Sequence, residues 1–364
     1  MREFLDEINA SPWKGAISEA GIGLDFSYQF VSHPGATKTI IDINSPYGSF
    51  VFDGRKVSRE AAEELATSAF NFAATTEGTV HNIFGFSMTG AHYQDKDTHA
   101  WACLKTKKFT AYIHYSIPTN PDRKTVGAIS TRVLTWFIEG CLLPKRSWQQ
   151  HLGFRPTGAE IDVLYAPGVS DFERLSLLSP TTVLGYNNGQ FVRVVDLLRK
   201  YDTIYGGAFN PPHDGHVAIA SDCLLELSQS NFTKGYASTE DMLHRINMIN
   251  ILGLPLILTQ EPLFLRKDKL FKRYVDKTYK YRMGADAWNM FVDHLFSSAA
   301  ASEMVFEVYQ RGGYYPKKVP NIDVTFMDEV MDISSTDIRE NEDDTYLDHR
   351  VSDYIERHNI YSGS

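Results

Sequence analysis

The chain is poor in the features that mark several protein classes. It has only 3 cysteines in 364 residues, Cys103, Cys141 and Cys223. Their number is odd, they lie far apart and none has metal-site spacing, which excludes a disulfide scaffold and a zinc ribbon and suggests reduced, buried thiols. Positive charge is in deficit: Lys+Arg number 36 against 45 Asp+Glu, a net charge of −9. No basic stripe stands out, so nucleic acid and anionic membrane are excluded as expected partners. Long apolar runs are missing too. The most apolar stretch, Ile251 to Leu258, is too short to span a bilayer and contains Pro255; it reads as a buried parallel strand. The start, Met1-Arg2-Glu3-Phe4-Leu5-Asp6-Glu7, lacks the apolar core of a signal peptide, and a cytoplasmic location is expected.

What is present is ordinary globular composition, 43% hydrophobic and 22% charged, over a length that suits two domains. Residues 1–150 read as one α/β unit. Ser58 suits a helix N-cap, and Ala61, Ala62, Leu65, Ala66, Ala69, Phe70 and Ala73 follow at helical spacing. Asn82 to Gly90 reads as a strand, Ala100–Leu104 and Phe109–Tyr115 as a hairpin, and Val126–Leu143 as a closing helix. Residues 151–200 read as a structured connector, with Asn187-Asn188-Gly189-Gln190 as a turn between strands. Across 201–364 strands and helices alternate, which implies a parallel sheet with helices on both faces.

Chemistry concentrates in two places. The segment Gly206-Gly207-Ala208-Phe209-Asn210-Pro211-Pro212-His213-Asp214-Gly215-His216 joins an apolar strand to a helical pattern. Glycines at 206 and 207 allow close backbone approach, and a helix start offers N–H groups to a phosphate. His213 and His216 add donors that can stabilise charge on a transferring phosphoryl group. The second segment, Ile333-Ser334-Ser335-Thr336-Asp337-Ile338-Arg339, brings hydroxyls and a guanidinium toward one anion.

These segments resemble the HxGH and ISSTxIR signatures of the nucleotidyltransferase superfamily, and within it the nicotinate and nicotinamide mononucleotide adenylyltransferases. Met283-Gly284-Ala285-Asp286, the Arg311-Gly312-Gly313-Tyr314 segment and Val351 to His358 follow in the family's order. The resemblance covers residues 200–362 and implies a Rossmann-like domain that moves an adenylyl group from ATP to a pyridine mononucleotide. It implies that His213, His216 and Arg339 are catalytic. It implies ATP contacts from Gly206, Gly207, Ala208, Phe209, Gly215, Gly284, Asp286, Arg311, Ser334, Ser335 and Thr336, and acceptor contacts from Asn210 and Trp288. Trp288 also has a second reading, as a core side chain. Mg²⁺ would arrive with ATP, held by phosphates and water more than by protein. Other acceptors in the superfamily (FMN, phosphopantetheine, alcohol phosphates) and a non-catalytic sensor are the alternatives.

In residues 10–145, Ser18 to Gly23, His33 to Thr39, Ser45-Pro46-Tyr47 and Ser87-Met88-Thr89-Gly90 resemble the nicotinamide-nucleotide amidohydrolase family, the CinA C-terminal domain. The implied N-terminal pocket holds Ala20, Gly35, Ala36, Thr37, Tyr47 and Thr89, with Gly35 to Thr37 as either a helix-start anion site or a plain helix cap after the Pro-Gly turn. Ala20 stands where that family has its nucleophilic Ser, and Gly48-Ser49-Phe50-Val51 lacks its Lys. Deamidation is therefore not expected, while ligand binding or assembly as a homo-oligomer stays open; Ser18 is the one nearby substitute nucleophile. His92, Asp95, Asp97 and His99 read as a solvated loop rather than a metal site.

With a net charge of −9, the full chain is expected to show no tight, salt-sensitive complex with DNA or RNA when titrated at physiological salt. A nanomolar complex that weakens steeply with added salt would overturn the reading of its surface.

Overall fold

The computed structural model describes residues 1–22, 24–46, 57–91, 98–118, 122–231, 235–295, 303–310, 313–320, 322–328, 333–341 and 344–361. The chain divides into two compact units, Met1–Leu177 and Leu178–Ser364. Among the described residues no helix is long and apolar enough to cross a membrane.

The first unit is built on strands β1 (Lys14–Ala20), β2 (Ile40–Asn44), β3 (Ile83–Ala91), β4 (Thr98–Thr106), β5 (Thr110–Ile117) and β6 (Glu160–Tyr165). They form one sheet in the order β2-β1-β3-β4-β5-β6. β1 is parallel to β2 and β3, and the remaining pairs are antiparallel. Helices α1 (Arg2–Ala10), α2 (Leu24–Ser32), α3 (Arg59–Glu77), α4 (Arg123–Leu142), α5 (Trp148–Leu152) and α6 (Asp171–Arg174) complete it. Ser58 caps α3 by accepting from the Ala61 N–H at 3.1 Å, and Gly78 ends it at positive φ. The alanine-rich face of α3 packs on Trp101, Cys103 and Tyr112. On the opposite face Phe26 of α2 meets Phe86 of β3 at 5.5 Å. Cover on both faces explains why β3 is buried along nearly its whole length.

The second unit holds β7 (Leu184–Asn187), β8 (Gln190–Val192), β9 (Thr203–Gly206), β10 (Leu224–Ser228), β11 (Ser230–Asn231), β12 (Gly235–Tyr236), β13 (Leu256–Thr259), β14 (Lys280–Gly284), β15 (Val305–Tyr309) and β16 (Asp323–Met327). Its helices are α7 (Val194–Lys200), α8 (Asp214–Ile219), α9 (Thr239–Ile251), α10 (Phe264–Tyr274), α11 (Ala285–Leu295), α12 (Ser335–Asn341) and α13 (His349–Arg357). The main sheet runs β16-β15-β14-β9-β10-β13-β7-β8, while β11 and β12 form a small separate ladder. The six strands from β16 to β13 are parallel. The first of them in sequence, β9, lies at the centre, with the order reversing between β9 and β14, which is the doubly wound arrangement whose ligand crevice opens at the carboxyl ends of those strands.

Two expectations from sequence change here. Residues 151–200 do not form a separate connector: β6 completes the first sheet, while β7, β8 and α7 belong to the second unit. β6 pairs with β5 and β7 with β13, partners distant in sequence, so local signals could not assign these strands to their sheets. The apolar run 251–258 contributes only Leu256–Leu258 to β13, because Ile251 ends α9 and Gly253 takes positive φ between them. The expected turn after β7 is present, with Asn188 and Gly189 at φ 50° and 76°. All three cysteines are free and buried, and burial pushes the Cys103 and Cys223 thiols up to about 12.

Glu19, on β1, is fully buried, and among the described residues neither carboxyl oxygen has a partner at hydrogen-bond distance. Burial pushes its pKa up to about 8; the Ser27 hydroxyl opposes the rise and the Asp25 carboxylate adds to it. The folded state thus keeps a proton that the unfolded chain releases above 4.5. The contribution is fully present below that pH and is lost as pH rises through 8, at up to about 1.4 kcal/mol per pH unit. Glu19→Gln should flatten this dependence and stabilise the unit at pH 8. Urea midpoints at pH 5 and 8, followed through Trp13, Trp101, Trp136 and Trp148, test it; identical slopes in both proteins would refute it.

Candidate functional site

The site is built around the turn that follows β9. Gly207 donates its N–H to the Glu226 carbonyl at 3.1 Å, and the chain then leaves the sheet. A Cβ on Gly207 would lie 2.6 Å from the Phe209 ring, so only glycine fits. Phe209 takes φ +45°, a left-handed conformation uncommon for an aromatic residue, and its ring is buried against Tyr205 and His216. His213 caps α8. Its N–H donates to His216 Nδ1 at 3.3 Å, and its backbone carbonyl accepts from the His216 N–H at 2.8 Å. With Nδ1 accepting, the neutral His216 ring carries its proton on Nε2. The two rings lie 3.8 Å apart between centroids.

Side chains from distant segments hold this turn. Arg339 Nη1 donates to the Asn210 carbonyl and, at 3.0 Å, to the Ser335 carbonyl; its Nη2 reaches Thr336 Oγ1 at 3.2 Å. Ser335 Oγ donates to the Pro211 carbonyl at 3.0 Å. Arg245 of α9 reaches the Ala208 carbonyl at 3.3 Å, and the Tyr361 hydroxyl donates to Asn210 Oδ1. Arg339 and Ser335, expected to meet phosphate, therefore also clamp the loop.

A cavity of about 480 Å³ opens at the carboxyl ends of the strands. Gly206, Gly207, Ala208, Phe209, Asn210, His216, Gly284, Asp286, Ser334, Ser335, Thr336 and Arg339 all line it, so most residues singled out from sequence converge on one space. His213 is buried behind His216, and Gly215 is buried within α8. Trp288 is a correction. It is fully buried in the core, stacked on Phe291 and against Phe306, with Nε1 donating to the Lys317 carbonyl at 2.9 Å. It sits on the face of α11 that packs on the sheet, out of reach of an acceptor. Arg311 and Gly312 lie outside the described residues.

Several cavity residues escaped the sequence reading. Arg245 lines the cavity with a buried Nε that has no partner among the described residues, and burial lowers its pKa. Glu226 and Lys267 also line it and form a buried ion pair at 2.6 Å, with Thr259 Oγ1 donating to the other carboxylate oxygen at 2.5 Å. The one available signal was a charge inside the apolar strand Leu224-Leu225-Glu226-Leu227.

The N-terminal pocket does not assemble as expected. Ala20 pairs with Thr89, and the same row continues through Trp101 to His114, which gives its Nδ1–H to Asp162. Gly35 to Thr37 lead into β2, whose Ile40 pairs with Gly15. Because the pair is parallel, they lie at the amino ends of the strands, roughly 16 Å from Ala20 at about 3.3 Å per residue. They form a single 3₁₀ turn after α2, not the start of an α-helix, and the Ala36 N–H is already bonded to the His33 carbonyl. Ser18 is buried, and among the described residues its hydroxyl has no hydrogen-bond partner that would act as its base. His114 stands three strands from position 20, about 14 Å at about 4.8 Å per strand, too far to act as its base. Tyr47, His92, Asp95 and Asp97 lie outside the described residues, and among the described residues no cluster suits a metal ion.

Residues 204–341 match the model of the cytidylyltransferase-like family, so the second unit carries a domain of that kind. No curated protein matches the chain. Among solved structures it is similar to the nicotinic acid mononucleotide adenylyltransferase of Plasmodium falciparum complexed with NaAD, at 18% identity and a TM-score of 0.35, over 44% of this chain and 97% of that one. It is also similar to the competence damage-inducible protein A of Klebsiella pneumoniae, at 11% identity and TM-score 0.31, over 40% of this chain and 98% of that one. A competence/damage inducible protein of Agrobacterium tumefaciens shows 14% identity and TM-score 0.31, over 38% and 92%.

Arg339→Lys should loosen the turn, because an ammonium cannot span the Asn210 and Ser335 carbonyls and Thr336 as a planar fork does. The loss of one charge-assisted bond is worth about 1.5–3 kcal/mol. Hydrogen exchange at residues 207–213 should rise in Arg339→Lys but not in Glu340→Gln on the exposed side of α12. Equal protection in both would show that the clamp is dispensable.

Proposed function

We propose that the second unit transfers an adenylyl group from ATP to a pyridine mononucleotide, giving a dinucleotide and pyrophosphate. The mononucleotide 5′-phosphate attacks the α-phosphorus, the bond to the β-phosphate oxygen breaks, and pyrophosphate leaves. One observation carries the reading: His216, the Gly206–Asn210 turn, Ser334, Ser335, Thr336 and Arg339, and Gly284 with Asp286 line a single cavity at the point where the strand order reverses.

Little covalent work falls to the protein; it aligns the reactants and stabilises developing charge. His216, with its proton placed on Nε2 by the bond at Nδ1, serves as a donor to the transferring group. His213 holds that ring in place. Arg339 and Thr336 face the β- and γ-phosphates, and Arg245 adds a further cation. Gly284 ends β14, Asp286 lies in the first turn of α11, and the two take the adenosine. Of the two acidic residues that line the cavity among the described residues, Glu226 is engaged by Lys267 and Thr259. This fits a magnesium ion carried in by the phosphates and held mainly by them and by water; bound there, it would neutralise phosphate charge. The first unit is proposed to serve ligand capture or assembly, since Ala20 has no group to attack a carboxamide.

The full chain with ATP, Mg²⁺ and either nicotinamide or nicotinate mononucleotide should release pyrophosphate and form dinucleotide. Arms with CTP, and with FMN or phosphopantetheine as acceptor, distinguish other transfers; product only in those arms would reject the proposal. His216→Ala should lower kcat by on the order of 10²- to 10³-fold with a smaller effect on ATP binding. Near-normal turnover would remove His216 from the mechanism. Without ATP, ammonia release from nicotinamide mononucleotide should stay at background.

A further inference from the structure

We infer that the buried Glu226–Lys267 pair reads the ring substituent of the acceptor and selects a neutral carboxamide over a carboxylate. This rests on the adenylyl-transfer reading above. Lys267 Nζ donates to Glu226 Oε2 at 2.6 Å, and the two side chains are 7% and 2% exposed. Thr259, itself fully buried, donates to Oε1 at 2.5 Å and fixes the plane of the carboxylate. Lys267 Nζ lies 5.1 Å from the centroid of the Phe264 ring. Gly206 leaves this group uncovered: a Cβ there would lie 3.3 Å from Glu226 Oε2 and from Phe264 Cε1, so any side chain would fill the space above the carboxylate.

The sheet order decides which part of a ligand meets the pair. β9, with the phosphate-handling turn, stands between β14 on one side and β10 on the other. Gly284, at the end of β14, and Asp286, in the first turn of α11, take the adenosine side. Glu226 on β10 and Lys267 on α10, which follows β13, line the other side, where the acceptor's ring must lie.

The chemistry of the pair is that of a neutral donor and acceptor held together. An ammonium has three protons, and each carboxylate oxygen has two acceptor positions, of which one is used here. A carboxamide matches both groups: its carbonyl accepts from Lys267 and its NH₂ donates to Glu226. A carboxylate has no N–H to offer and places negative charge against Glu226, leaving a buried acceptor unpaired. A site built on hydrogen bonds rejects the ligand that lacks the matching group.

With the full chain, nicotinamide mononucleotide should exceed nicotinate mononucleotide in kcat/KM by about 10- to 100-fold, the range expected when a buried polar group is left unpaired. Glu226→Gln should cut that ratio at least about tenfold, chiefly by a gain with nicotinate, since the new amide can donate to a carboxylate. Thr259→Val removes the orienting hydroxyl but no charge and should lower the ratio in the same direction by less; it decides the matter if Glu226→Gln does not fold. Calorimetric binding of each mononucleotide without ATP gives the ranking independently of turnover. Turnover of both with a ratio near one, a preference for nicotinate, or a ratio unmoved by these changes overturns the role of the pair and leaves adenylyl transfer standing. No binding and no turnover of either overturns both.

Discussion

The guanidinium of Arg339 laid across the Asn210 carbonyl is the contact on which the rest of the site depends. β9 is only four residues long, and after Gly206 the chain has no ladder to follow. Phe209 sits at positive φ, a conformation that persists only where its surroundings enforce it. Arg339, Ser335, Arg245 and Tyr361 supply that enforcement from α12, α9 and the chain beyond α13. The loop in turn sets His213 at the N-cap of α8, and His213 sets the ring and tautomer of His216. The residues proposed to bind phosphate thus also hold the loop, and a change at Arg339 is expected to reach His216 through it.

The parallel sheet supplies the second constraint. With β14 and β10 flanking β9, glycine-ended strands on one side and a buried ion pair on the other face a common cavity. An ion pair as enclosed as Glu226–Lys267 is weak evidence for stability, since apolar residues of similar volume often serve as well. Its position in the cavity wall gives it a different significance, as a polar surface matched to one ligand.

Much of the site was legible because its parts are local. His213 and His216, the glycines at 206 and 207, and Ser335 to Arg339 are each contained within a few residues, and the reading of each as an anion site follows from turn and helix geometry. Ser58 at the start of α3 and Asn188-Gly189 in the β7–β8 turn were legible for the same reason. What escaped depends on strand pairing. Gly35 to Thr37 look like an anion site until the parallel register carries them to the far end of the strands from Ala20. Trp288 looks available until the sheet packs against its face of α11. Glu226, Lys267 and Arg245 come together only because β10, α10 and α9 surround one cavity, and no spacing in the sequence records that.

The central claim is that the α-phosphorus of the nucleotide is the atom attacked. Parallel reactions of the full chain with ATP labelled at the α- or the γ-phosphate and nicotinamide mononucleotide test it most directly. The account predicts that α-label appears only in the dinucleotide and γ-label only in pyrophosphate, with both transfers lost together in His216→Ala. Label from the γ-phosphate in the mononucleotide product, or release of γ-label as orthophosphate with no dinucleotide formed, would contradict it.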